Sequence, residues 1–168
     1  MTAKELFNLV SDNGGNDLSD AIAILKSESK FCLIGGLAVN CYVDPVYTLD
    51  ADFVPAMKDT SKLARELEKS GFNIIERRYY LSVVRPGSKV RIQITKDDRY
   101  FAFPSRAEDK EVLGEILPVA CIEDLIQGKT WAFSDPDRKF EKREKDRLDL
   151  IRIGMKYQNQ LSIMPEEI

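Results

Sequence analysis

Apolar positions fall along this chain in two rhythms, one helical and one alternating. Leu18, Ala21, Ile22 and Leu25 share one helical face over residues 17–27. The unbroken run Phe31-Cys32-Leu33-Ile34 is short enough to be a buried strand and ends at Gly35-Gly36, after which a helical stretch covers 37–42. Leu49-Asp50-Ala51-Asp52-Phe53 then alternates, as a strand with one polar face does. Upstream, Thr2-Ala3-Lys4-Glu5 has the form of a capping box opening a helix to about residue 10, and Asn13-Gly14-Gly15-Asn16 breaks it. Asp59 or Thr60 caps a helix that runs to Ser70 and stops at Gly71.

Residues 72–76 and 78–84 read as strands, and Arg85-Pro86-Gly87-Ser88 has proline and glycine where a type II turn needs them. A hairpin of 78–84 with 89–94 follows. A strand over 116–120, a helix over 122–133 and a long helix over 137–157 complete the pattern. It predicts an α+β fold: a small mixed or antiparallel sheet flanked by helices. The chain is expected to form a single domain over 1–168, with its core at about 28–120 and a helical part at about 121–160.

Two observations at the glycines and aspartates point to chemistry. Side chains two apart on a strand share a face, so Asp50 and Asp52 converge, and two converging carboxylates repel unless a cation lies between them. With no histidine in the chain, an all-oxygen donor set favours Mg²⁺ or Mn²⁺. The glycine pair lets backbone N–H groups approach a phosphate, at a helix start that favours an anion.

Gly35-Gly36, thirteen intervening residues and Asp50-Ala51-Asp52-Phe53 resemble the signature of the nucleotidyltransferase superfamily that includes DNA polymerase beta. The likeness is greatest to its minimal and abortive-infection toxin-like branch. It extends through Ile34-Gly35-Gly36-Leu37-Ala38-Val39-Asn40, Thr48, Leu117-Pro118-Val119-Ala120, Ile122-Glu123-Asp124-Leu125-Ile126 with Lys129, and Lys145-Asp146-Arg147-Leu148-Asp149-Leu150, and so spans roughly residues 31–153. The resemblance implies a nucleotidyltransferase-like core in which Asp50 and Asp52 are catalytic and hold the metal. It implies nucleotide binding by Gly35, Gly36, Thr48, Lys129 and Lys145.

One departure bears on activity. The family's third carboxylate falls at Gln93, in Val90-Arg91-Ile92-Gln93-Ile94, and an amide can offer a carbonyl oxygen but cannot accept a proton from a hydroxyl. Asp97 or Asp98 stands four or five residues on, about 13 Å along an extended chain. Two functions therefore stand open. One is metal-dependent transfer of an NMP group from an NTP to a hydroxyl acceptor: small molecule, RNA or protein. The other is a catalytically impaired nucleotide-binding module, such as half of a toxin–antitoxin pair. The branch leaves room for a cognate partner protein and for a homodimer. A third reading, an interaction protein with a plain turn and a surface loop, must treat the spacing as coincidence.

Composition narrows the partners. The chain has 25 basic and 28 acidic residues, a net charge of −3, so no overall positive field draws it to nucleic acid or membrane. A local surface of Arg77, Arg78 and Arg85 beside Tyr79 and Tyr80 is the loose candidate for base stacking, although paired aromatics on a hairpin more often pack across strands. Cys32, Cys41 and Cys121 are odd in number and read as reduced thiols. Residues 1–30 lack a signal-like apolar stretch and no run reaches membrane-spanning length, so a cytoplasmic protein is expected. Mixed charge over 137–149, with Glu141 and Lys145 as an i, i+4 pair, reads as a solvated face. The functional alternative has Lys129 and Lys145 reaching a triphosphate while Asp146 and Asp149 anchor nearby cations.

Overall fold

Strand β1 (Phe31–Ile34) is apolar throughout because both its edges are paired: antiparallel to β2 (Asp50–Pro55) and parallel to β7 (Glu115–Val119). The computed structural model describes residues 3–12 and 14–168, so the proposed cap at Thr2 and the break at Asn13 lie outside the described residues. The remaining strands are β3 (Asn73–Glu76), β4 (Tyr80–Val84), β5 (Arg91–Thr95) and β6 (Glu108–Val112), and together they form one mixed sheet in the order β3-β4-β5-β2-β1-β7-β6. Helices α1 (Ala3–Val10), α2 (Gly15–Glu28), α3 (Gly35–Val39), α4 (Ser61–Lys69), α5 (Ile122–Ser134) and α6 (Phe140–Lys156) flank it. The expected α+β class is what the chain adopts.

Helices α2 and α4 pack together, and α3, α5 and α6 form a second group. Between helices and sheet lies one core that includes Leu25, Leu33, Phe53, Leu67, Ile94 and Leu150. Register explains the polar face of β2: Ile34 pairs with Asp52 and Leu33 with Phe53, so the aspartate points one way while Phe53 joins the core on the other.

The predicted hairpin forms, with Ser88 N–H donating to Arg85 O at 3.0 Å and Gly87 at φ +79°. Its strands, β4 and β5, begin two residues later than the pattern predicts. Thr60 is the N-cap of α4 but its side chain makes no capping bond; Asp59 Oδ1 instead accepts from Ser61 N–H at 2.9 Å, and Gly71 follows the helix at φ +93°.

Three elements differ from expectation. Strand β6 was not anticipated; its sequence Glu-Asp-Lys-Glu-Val has no apolar face because it is an edge strand paired only to β7. Helix α3 begins at the glycines rather than at Leu37. Helix α6 starts at Phe140, not 137, because Asp135 turns the chain: its Oδ1 accepts from Asp137 N–H at 2.9 Å and its carbonyl from Arg138 N–H at 3.2 Å.

Arg85, a loose nucleic-acid candidate, ties the hairpin turn to α2. Its Nη1 lies 2.7 Å from Asp17 Oδ1 and 2.8 Å from Asp20 Oδ2, Nη2 donates to Ser70 O at 2.8 Å, and the guanidinium sits 4.3 Å from the Phe72 ring centre. Arg85→Ala is expected to lower unfolding free energy by about 1–3 kcal/mol, read by urea denaturation, without changing nucleotide binding. Full stability in that variant contradicts the structural role.

Candidate active site

The chain leaves β1 through Gly35 at φ +75°, a left-handed conformation that favours glycine. A Cβ at that position would overlap the Asp52 carboxylate, so the glycine is needed for conformation and for space. Gly36 is less crowded: its nearest neighbour would be Asp149 Oδ2 at 3.9 Å. No side chain caps the start of α3, which leaves its first backbone N–H groups without a helical partner.

Asp52 opens onto a cleft of about 860 Å³ whose walls include Gly35, Gln93, Tyr100, Lys129, Trp131 and Arg138. Burial pushes its carboxyl up to about 6; Lys129 draws the value down and Asp50 raises it. Parallel pairing of β2 with β5 sets Gln93 directly opposite Asp52 and Arg91 opposite Asp50. Asp50 shares the strand face but not the cleft wall: its Oδ1 accepts from Arg91 Nε at 2.7 Å. Thr48 is also outside the lining; its hydroxyl accepts the Asp50 N–H at 3.2 Å and steadies the start of β2.

Lys129 in the cleft wall holds its Nζ 2.9 Å from Asp146 and 2.7 Å from Asp149. Burial alone would depress its pKa, but the two carboxylates hold it above the ordinary value. Asp146 also receives Arg138 Nε at 2.6 Å, and Asp149 receives Arg152 Nη1 at 2.7 Å. The charged segment is thus not simply a solvated face, since Asp146 and Asp149 are buried. Lys145 is exposed and outside the cleft lining, whereas the inward positions of α6 are Asp146, Asp149, Leu150, Ile153 and Gly154.

Asp97 reaches the cleft further along, two positions past Thr95, but Arg99 grips it at 2.7 Å and this hydrogen bonding holds its pKa below the usual carboxylate range. Asp98 is exposed and not part of the lining. Tyr79 and Tyr80 stand at the mouth, where Arg78 lies 5.0 Å from the Tyr79 ring centre. Sequence reasoning missed the aromatic wall of Tyr100, Phe103 and Trp131, whose rings meet at 5.0–6.0 Å, and the buried Asp124, paired to Arg106 at 2.8 Å. For Asp124 and Trp131 the signal was the stripe Asp124, Gly128 and Trp131 along one side of α5, where Gly128 leaves room for Tyr100.

The donors fit one hard cation. Asp50 and Asp52 offer carboxylate oxygens and Gln93 an amide carbonyl, and Mg²⁺ is ordinarily held by one or two carboxylates together with substrate phosphates. Among the described residues, no group of three or more His, Cys, Asp or Glu could hold a metal by itself.

No family model and no curated protein matches the chain. Solved structures do. The lincosamide antibiotic adenylyltransferase LnuA, with lincomycin bound, is 17% identical with a TM-score of 0.53, over 91% of this chain and 98% of its own. The antibiotic-resistance factor ANT(2'')-Ia is 16% identical with a TM-score of 0.56, over 83% of each chain. JHP933 from Helicobacter pylori is 16% identical with a TM-score of 0.50, over 87% of this chain and 67% of its own. The chain has the nucleotidyltransferase fold.

Because Asp52 holds its proton more tightly folded than unfolded, its contribution to stability is lost as pH rises from about 4 through about 6. Asp52→Asn, neutral throughout, should stabilise the metal-free protein by about 1–2 kcal/mol above pH 7 and by much less near pH 4. Urea titrations at the two pH values read the difference; an equal gain at both contradicts burial as the cause.

Proposed function

We propose that the protein is a metal-dependent nucleotidyltransferase that moves a nucleoside monophosphate from an NTP to a hydroxyl acceptor. The observation that carries this reading is the seating of Asp52 against Gly35 at the head of the cleft, within a nucleotidyltransferase fold. Asp50 and Asp52 would hold a magnesium ion, with Gln93 beside them. When bound, that ion offsets charge developing on the phosphates.

The chain's own residues divide the remaining work. Uncapped N–H groups at the start of α3 would receive the triphosphate, and Lys129, in the cleft lining, would add a positive charge beside it. Tyr79 at the mouth offers a ring for stacking. The acceptor oxygen forms a bond to the α-phosphorus as the bond to pyrophosphate breaks. Its proton would pass to water in the open cleft, because the amide of Gln93, which lies opposite Asp52, cannot accept it.

A cleft of about 860 Å³ lies in the range of small-molecule sites, and both LnuA and ANT(2'')-Ia are proteins of antibiotic chemistry. A hydroxylated small molecule is therefore the acceptor class favoured over RNA or protein. Gln93 supports a second reading, a nucleotide-binding regulatory module that acts with a partner protein or a second copy of the chain.

The test is transfer of label from α-labelled NTPs to pools of hydroxylated small molecules and to RNA, with and without Mg²⁺. Wild type should transfer only with metal, Asp52→Asn should fall to background, and Gln93→Asp should exceed wild type. Transfer surviving in Asp52→Asn sinks the assignment. NTP binding without transfer, in Gln93→Asp as well, selects the module.

A further inference from the structure

Arg91 is not used by either reading, yet it touches the site. On β5 it sits directly opposite Asp50, and Gln93 directly opposite Asp52, so the four side chains share one face of two adjacent strands. Arg91 Nε meets Asp50 Oδ1 at 2.7 Å, while the Arg91 side chain is 66% exposed. A single exposed, charge-assisted hydrogen bond therefore holds it there, and exposed pairs of this kind are weak enough for a dication to displace.

Position 93 explains why a cation is available at position 91. A carboxylate opposite Asp52 would let the site balance two divalent ions, as two-metal phosphoryl-transfer centres do. Here one carboxylate is replaced by a neutral amide, and a guanidinium stands two residues earlier. Exchanging one carboxylate and one dication for one guanidinium leaves the net charge of the centre unchanged.

We infer that Arg91 is the resident counter-ion of this site: it neutralises Asp50 in the metal-free chain, competes with metal for that carboxylate, and together with Gln93 limits the site to one divalent ion. The inference rests on the reading of Asp50 and Asp52 as metal-binding residues. A divalent ion on Asp50 takes up the carboxylate's charge and repels the guanidinium, so the two compete for it. Metal entry therefore frees Arg91, whose planar donors suit phosphate oxygens, so the ion is taken up more readily with a nucleotide than alone.

The test is a Mn²⁺ titration of the full chain followed by the electron paramagnetic resonance signal of free Mn²⁺, with and without a non-hydrolysable NTP analogue. One Mn²⁺ per chain is expected with the analogue. Arg91→Gln should bind Mn²⁺ alone about three- to tenfold tighter, Arg91→Lys should stay near wild type because it keeps the charge, and Gln93→Asp should raise the count to two. Two ions in wild type, an unchanged affinity in Arg91→Gln, or a count of one in Gln93→Asp overturns the inference and leaves the metal reading standing. Binding no different from that of an Asp50→Asn/Asp52→Asn double variant overturns both.

Discussion

A side chain at position 35 would collide with the carboxylate of Asp52, and the backbone there is left-handed, so one atom-poor residue sets how β1, α3 and β2 meet. From that contact follow the other features of the site. The glycine turn brings the uncapped start of α3 beside Asp52, and the aspartate, pressed against backbone, loses water and keeps its proton to about pH 6. Lys129 and Arg138 offset that burial only in part.

The second constraint is ionic and lies behind the first. Lys129, Arg138 and Arg152 meet Asp146 and Asp149 in a buried network that fastens α5 to α6, and Arg152 continues to Asn40 Oδ1 at 3.0 Å just past α3. Asp146, with a side chain only 2% exposed, depends on both of its cations, because a buried charge left without a partner is costly. The network thus supports the glycine turn from below while presenting Lys129 toward Asp52.

Much of this was legible in the sequence. Alternation through Asp50-Ala51-Asp52-Phe53 gave the strand and its polar face, and the Pro86-Gly87 turn gave the hairpin that puts Gln93 on a strand near it. Strand β6 stayed hidden because its stability comes from pairing with β7 and not from an apolar face. The cleft's aromatic wall was hidden for a related reason. Tyr100 and Phe103 lie in short 3-10 turns with no periodic pattern, and they meet Trp131 only through the tertiary fold. The pairing of Arg91 with Asp50 needed the parallel register, which local pattern does not specify.

The most direct measurement is a crystal structure of the protein with Mn²⁺ and a non-hydrolysable NTP analogue, using anomalous scattering to locate the metal. The account predicts one anomalous peak bridging Asp50, Asp52 and the phosphates, with the triphosphate against Gly35 and Gly36. A nucleotide bound elsewhere, or a triphosphate in the cleft with no metal at the two aspartates, contradicts it.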